Sequence, residues 1–274
     1  MSYWEAILLG IIQGATEFLP ISSSGHLILV PSLLGWTEPP LTLVAIAHLG
    51  TLVAVLIYFR RDLWQITKAV LAGLGQRAPM ATPDARLGWY ILAGTIPAGV
   101  AGLLLESFFD EVFGIPVAAA FFLLVTAALL VVGERLLTGR KQLAQLKLVD
   151  AVIIGLFQMV ALLPGVSRSG STITGGLWRG LDRPTAARFS FLLGIPAILG
   201  AGLLAVLDLA QAGTSGDQLP FYLVTFATAA LTGYACIYFL LAWLRQRSLY
   251  IFAAYCAVFG SVYLLLAFAG LLPA

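Results

Sequence analysis

Apolar residues run along this chain in long stretches with few polar interruptions, at roughly 41–59, 88–105, 117–134, 186–209, 221–243 and 249–271. A helix needs about 20 such residues to cross about 30 Å of hydrocarbon, so the pattern predicts six membrane spans. Two further apolar stretches, roughly 4–33 and 150–178, are each interrupted midway by proline, glycine and serine, at LPISSSGH and LPGVSRSG. Irregular backbone at membrane depth is tolerated only where protein or a water-filled cavity satisfies its N–H and C=O groups. Each interrupted stretch is therefore drawn as a re-entrant helical hairpin that enters and leaves by the same side.

The polar punctuation repeats. GIIQ at 10–13 recurs as GLFQ at 155–158, and SSSG at 22–25 recurs as SRSG at 167–170, both at an offset of 145. At the same offset His48-Leu49-Gly50-Thr51 lies opposite Leu193-Gly194-Ile195-Pro196. The fold class expected is an all-α integral membrane protein, one membrane domain with repeats at about 1–137 and 148–274. Each repeat holds one hairpin and three spans. An odd number of spans turns the second copy upside down, which gives an inverted-topology repeat with two broken hairpins meeting tip to tip near the midplane.

Composition and charge sharpen this drawing. At 60% hydrophobic and 10% charged residues, with mean hydropathy +0.98, the chain lies outside the range of soluble domains. Fourteen of its fifteen Lys and Arg residues fall on one side of the drawn topology, whereas the loops WTEPP, ESFFDEVFG and QAGTSGDQLP on the other side contain none. The positive-inside rule makes the basic side cytoplasmic. No basic stripe of the kind that binds nucleic acid is present, and the N-terminus MSYWEAILLG shows no signal-peptide pattern. Cys236 and Cys256 read as packing residues. The fifteenth basic residue, Arg168, lies inside the second hairpin and calls for a function.

Ionisable side chains in a membrane segment cost at least about 2.5 to 3.5 kcal/mol each on insertion scales, which makes them functional candidates by default. Gln13 and Glu17 are four apart and share a helical face, while Ser22, Ser23, Ser24 and His26 occupy the first break and the start of the returning helix. In the second hairpin Ser167, Arg168, Ser169, Ser171, Thr172 and Thr174 surround Gly165 and Gly170. One guanidinium, one carboxylate, one imidazole and many hydroxyls suit a phosphate. Arginine presents a fork that matches phosphate oxygens, each break creates a helix N-terminus with free N–H groups, and Gly25, Gly165 and Gly170 let backbone approach an anion. Glu17 would then bridge to phosphate through a divalent cation, hold the His26 proton, or activate a hydroxyl. His48, with apolar neighbours and Thr51, is read as structural. Gly10 and Gly155 are read as close-packing positions, and Glu106, Asp110 and Glu111 as a solvated loop.

GATEFLPISSSGHLI at 14–28 and LPGVSRSGSTIT at 163–174, with the repeat and spans around them, resemble the undecaprenyl-diphosphate phosphatase family, also known as the bacitracin-resistance family. Its (Glu/Gln)-x-x-x-Glu motif falls on Gln13 and Glu17, its Ser-Gly-His element on Ser24, Gly25 and His26, and its Pro-Gly-x-Ser-Arg-Ser-Gly element on Pro164 through Gly170. Position 13 carries the Gln form, and position 24 is Ser where many relatives have Thr. The resemblance implies an integral membrane enzyme that hydrolyses the C55 isoprenoid diphosphate to the monophosphate. That reaction recycles the carrier lipid for cell-wall synthesis and gives bacitracin resistance.

On this reading Arg168, Ser167, Ser169 and Thr172 clamp the diphosphate, and Ser23 attacks the terminal phosphorus. Glu17 coordinates Mg²⁺ or Ca²⁺ or orients the nucleophile, and His26 serves as general base and acid. Direct attack by water stays open. Gln13, Ser22, Ser24, Gly25, Gly165 and Gly170 complete the substrate-binding set. The partners expected are the polyprenyl diphosphate and membrane lipid, with a homodimer left open. The location expected is the bacterial inner membrane, with the site opening to the periplasmic or outer face because the loops beside the first hairpin lack Lys and Arg.

Two rival readings stand beside it. Acid-phosphatase-like lipid phosphatases need a second histidine six residues after the arginine, where this chain has Thr174. A lipid flippase or transporter would share the broken helices and the anion site.

Overall fold

The computed structural model of the chain describes residues 2–212 and 218–273, without side chains at Glu106, Asp110, Ala201 and 204–212. The middle of the expected loop at 211–220 and the solvation of Glu106 and Asp110 therefore lie outside the described residues. Within them the chain forms twelve α-helices and a short 3-10 turn at Leu143–Gln145, with an isolated bridge between Lys141 and Leu181 but no strand.

The first interrupted stretch folds as two short helices, α1 (Tyr3–Phe18) and α2 (Ser23–Leu34). At about 1.5 Å per residue neither reaches across 30 Å of hydrocarbon. Ser2 and Glu5 form a capping box at the start of α1. Pro20 disfavours a helical conformation at Leu19, whose backbone is extended (φ −63°, ψ 140°), and α1 stops there. Ser22 caps α2 from φ 72°, a strained angle for a non-glycine residue, and left-handed Gly35 ends it.

The second stretch repeats the design as α8 (Leu148–Val160) and α9 (Arg168–Trp178). Gly165 carries the turn at φ +92°, where a Cβ would strike the Ala119 carbonyl, and Ser167 caps α9.

Among the described residues, five helices are long and apolar enough to cross a membrane: α3 (Leu41–Tyr58), α5 (Pro83–Leu104), α7 (Pro116–Arg135), α11 (Leu219–Trp243) and α12 (Tyr250–Phe268). The span expected at 186–209 falls within the 30-residue α10 (Arg183–Ala212). The basic loop drawn after the first span is corrected: most of it is a helix, α4 (Arg60–Gly75), followed across the α5–α7 connection by the short α6 (Glu106–Phe113). Ile66 and Val70 of α4 fill the space beside Gly88 of α5, so packing on a neighbour orders a segment too polar to read as a span.

The two broken units dock in related ways. α1 packs on α11, and α8 packs on α5. Both contacts depend on missing side chains: a Cβ at Gly10 would strike the backbone of Thr225, and one at Gly155 would strike Gly94. Around them α3 packs on α10 and α11, α7 on α12, and α2 and α9 both touch α7. The breaks thus face each other beneath α7 in the middle of the bundle.

Candidate active site

The two breaks are in direct contact. Ser24 Oγ accepts from the Gly165 N–H at 3.3 Å, Ser169 Oγ donates to the Leu19 carbonyl at 3.1 Å, and a Cβ on Gly25 would lie 3.2 Å from Gly165 Cα. Each loop thereby satisfies backbone groups of the other, as irregular backbone in an apolar interior requires. Thr126 of α7 stitches the second break, donating to the Gly165 carbonyl and accepting from the Ser167 N–H, both at 2.9 Å.

Glu17 is the hub. Its Oε1 accepts from Arg168 Nη2 at 2.5 Å across 151 residues of sequence. Its Oε2 accepts from Ser23 Oγ at 2.7 Å and from Gln13 Nε2 at 3.0 Å. A serine hydroxyl aimed at a carboxylate oxygen has a proton acceptor in place, the arrangement that activates a weak nucleophile. Arg168 keeps the carboxylate ionised in an apolar surround, where an unpaired charge would be costly. Ser23 and Ser24 are half-buried, whereas Gln13, Ser22, Ser167 and Ser169 are buried. Ser23 and Ser24 are thus the more accessible hydroxyls of the cluster.

The guanidinium is seated by residues outside both motifs. Arg168 Nη1 lies 3.5 Å from the Ser190 carbonyl of α10, and a Cβ on Gly194 would occupy the guanidinium's place. Thr172 Oγ1 donates to the Arg168 carbonyl at 2.7 Å and shares a 2.6 Å hydrogen bond with Ser190 Oγ. Thr172 accordingly supports the backbone of Arg168. The two caps are matched: Ser22 Oγ accepts from the Gly25 N–H at 3.3 Å, and Ser167 Oγ accepts from the Gly170 N–H at 3.0 Å.

The two histidines exchange the places the sequence suggests for them. His26 is buried against Tyr255 and Phe259, and both ring nitrogens are committed, Nδ1 to the Ser22 carbonyl and Nε2 to the Tyr255 hydroxyl, each at 2.7 Å. The fold does not bring it to Glu17. His48, read as structural from its apolar neighbours, instead places Nε2 3.8 Å from Glu17 Oε2. Its signal was present in the sequence: an ionisable residue inside a span is a functional candidate whatever flanks it. Thr126, Ser190, Gly194 and Tyr255 gave no comparable signal, because each acquires its role only through a long-range contact.

A divalent cation held by the protein does not fit the residues present. Glu17 is the one carboxylate here, its oxygens are taken by Arg168, Ser23 and Gln13, and a cation beside it would face the guanidinium. Among the described residues no group of three or more His, Cys, Asp or Glu side chains converges.

On the far side of α1 and α2 an apolar groove of about 520 Å³ opens between them and α11 and α12, walled by Leu19, Ile21, His26, Trp243, Phe252 and Tyr255. Its wall includes the residues that flank the first break.

The chain is similar to known proteins over most of its length. Residues 6–262 match the family model described as bacitracin resistance protein BacA. A protein named undecaprenyl-diphosphatase from Thermomicrobium roseum is 48% identical over 272 residues, covering 97% of this chain and 98% of that protein. Proteins of the same name from Chloroherpeton thalassium, 46% identical over 95% of both chains, and from Myxococcus xanthus, 43% identical over 97% of this chain and 89% of that one, are similar along their length.

Proposed function

The chain belongs to the bacitracin resistance protein BacA family, and from that premise we propose that it is a membrane enzyme hydrolysing undecaprenyl diphosphate to undecaprenyl phosphate and inorganic phosphate. The observation that carries the reading is the meeting of Ser23 and Arg168 on the two oxygens of one carboxylate, Glu17. An incoming diphosphate competes with Glu17 for the Arg168 fork, and the released carboxylate is then freer to accept the proton of Ser23. Ser23 Oγ attacks the terminal phosphorus, the bond to the bridging oxygen breaks, and the lipid leaves as its monophosphate. Water then clears the phosphoserine. Arg168 neutralises charge on the phosphoryl oxygens in a site with little water to screen it.

The remaining residues position these three. Ser167, Ser169 and Gly170 shape the turn that presents Arg168. Ser22, Ser24, Gly25 and Gly165 hold the breaks together, Gln13 aligns Glu17, and His26 fixes Ser22 from behind. A divalent cation, Mg²⁺ or Ca²⁺, would arrive as the counter-ion of the diphosphate. The first isoprene units would lie in the apolar groove beside the first break.

For the membrane arrangement, the reading supported by the charge pattern and the 145-residue offset is six spans, with α1–α2 and α8–α9 as re-entrant hairpins of an inverted repeat in the bacterial inner membrane. The substrate opening would then lie on the periplasmic side. The flippase alternative gains nothing from the relatives, which carry the name of a phosphatase.

Phosphate release from undecaprenyl diphosphate by purified protein in detergent tests the activity. Folded protein that releases none would overturn the reading. For orientation, Ser24→Cys in a Cys236→Ser, Cys256→Ser background should be labelled in intact cells by a membrane-impermeant thiol reagent. Labelling confined to inside-out vesicles would reverse the sidedness.

A further inference from the structure

We infer that His48 is the acid–base residue of this site, receiving through Glu17 the proton that Ser23 gives up. The inference rests on the phosphatase reading and adds to it the group that carries the proton away.

His48 Nδ1 donates to the Val44 carbonyl at 2.8 Å, one turn back along α3. In the neutral ring that bond leaves Nε2 as the bare acceptor. Nε2 points at Glu17 Oε2 from 3.8 Å, and this is the same oxygen that accepts the Ser23 hydroxyl at 2.7 Å. Two acceptors facing each other are brought into a favourable contact by one proton between them. Among the described residues, the charged group that meets the ring from elements around α3 is Glu17 of α1, and Arg168 of α9 acts on it through Glu17. If Glu17 kept the serine proton, Oε2 could not serve again as the acceptor; passing the proton on to Nε2 restores the carboxylate. The His48 side chain is 31% exposed, against 6% for Glu17, so the ring is the more accessible of the two groups.

The internal repeat sets both residues apart from the groups the two halves share. At the offset of 145, Gln13, Ser22, Ser24 and Gly25 recur as Gln158, Ser167, Ser169 and Gly170, but Glu17 and His48 lie opposite Leu162 and Leu193. In the half that supplies the guanidinium, neither a carboxylate nor an imidazole stands at those two positions.

The protons balance over two steps. In the first, the Oγ–P bond forms, the bond from phosphorus to the bridging oxygen breaks, and lipid phosphate departs with the electron pair. The Ser23 proton reaches Glu17 Oε2, and a proton passes on to His48 Nε2. In the second, water adds to the phosphoserine phosphorus, keeps one hydrogen on the departing phosphate and loses the other to solvent. Ser23 Oγ leaves and recovers its proton from His48.

The test compares His48→Ala and His48→Gln in the purified full chain, reading phosphate release from undecaprenyl diphosphate, with thermal unfolding in detergent to establish folding. Losing a general acid–base residue costs about 10²- to 10⁴-fold. Both variants should therefore fall at least about 100-fold in kcat, with KM changed less than about threefold. Glutamine keeps an N–H for Glu17 but cannot accept a proton, so a purely structural role would leave His48→Gln active. Added imidazole should restore at least about tenfold activity to His48→Ala, because the free ring can refill the vacated space, and should leave His48→Gln unchanged. A folded His48→Gln within threefold of wild type, or a folded, inactive His48→Ala that imidazole cannot rescue, would overturn the assignment. Inactive wild-type protein would instead bring down the phosphatase reading beneath it.

Discussion

Two of the buried carboxylate–arginine pairs in this bundle are finished differently. At the basic end, Glu134 of α7 takes both prongs of Arg183, with its Oε1 also accepting the Leu249 N–H at 2.7 Å. Every oxygen is used, and the pair pins the starts of α10 and α12 to the end of α7. In the middle of the bundle, Glu17 takes one prong of Arg168, and its second oxygen serves a serine hydroxyl, an amide and a nearby imidazole. The other face of that guanidinium has only a 3.5 Å contact to the Ser190 carbonyl. A closed pair of this kind fastens helices together; an open one can exchange its partner for a phosphate. The difference lies in how many of the fork's donors the protein itself satisfies.

Substitutions at the two pairs should therefore fail in different measurements. Glu17→Gln removes the proton acceptor of Ser23 and should lower phosphate release about 10³-fold, within the range for losing a general base, while the unfolding temperature stays close to wild type. A variant that keeps a tenth of wild-type activity would take Glu17 out of the chemistry.

Arg168→Lys retains the charge but loses the fork, and about 100-fold loss in kcat is expected, the scale of one preorganised transition-state contact. Near-normal turnover would mean that the open prong is not what binds the phosphoryl group. Gly194→Ala probes the same seat without touching a charge. A methyl in the guanidinium's place should cost about tenfold or more in activity, since small misplacements are amplified in catalysis.

Glu134→Gln should show the reverse signature. Breaking the closed pair should lower stability by about 2 kcal/mol, read as a lower unfolding temperature, with activity per folded molecule within about twofold of wild type. Loss of activity in protein that unfolds normally would erase the distinction between the pairs. The smallest effect is expected from Gln13→Ala, below about tenfold in kcat, because Ser23 and Arg168 still hold Glu17. An effect larger than that of Glu17→Gln would reverse the ranking of the two.

Much of this was legible along the chain because the solvent for its helices is hydrocarbon. The penalty for exposing polar groups there forces long apolar runs wherever a helix crosses, so α3, α5, α7, α11 and α12 could be placed within a few residues. The same penalty made LPISSSGH and LPGVSRSG stand out as breaks, and it marked Glu17 and Arg168 as residues that must find partners. The 145-residue offset then paired Ser22 with Ser167 and Gly25 with Gly170 before any contact was known.

Partnership itself was decided only by tertiary structure. Nothing local distinguishes His26, held between Ser22 and Tyr255, from His48, aimed at Glu17; the choice depends on α3 packing against α1, and on which helix face that contact turns inward. Helix α4 was likewise invisible as an element, since its order comes from Ile66 and Val70 packing beside Gly88. Ser190 and Gly194 shape the seat of Arg168 from about twenty residues away in sequence. Sequence determined which groups could not remain alone in an apolar interior, because that cost is local to each residue; the packing of distant helices selected the partner of each, because distance and direction between side chains are properties of the whole fold.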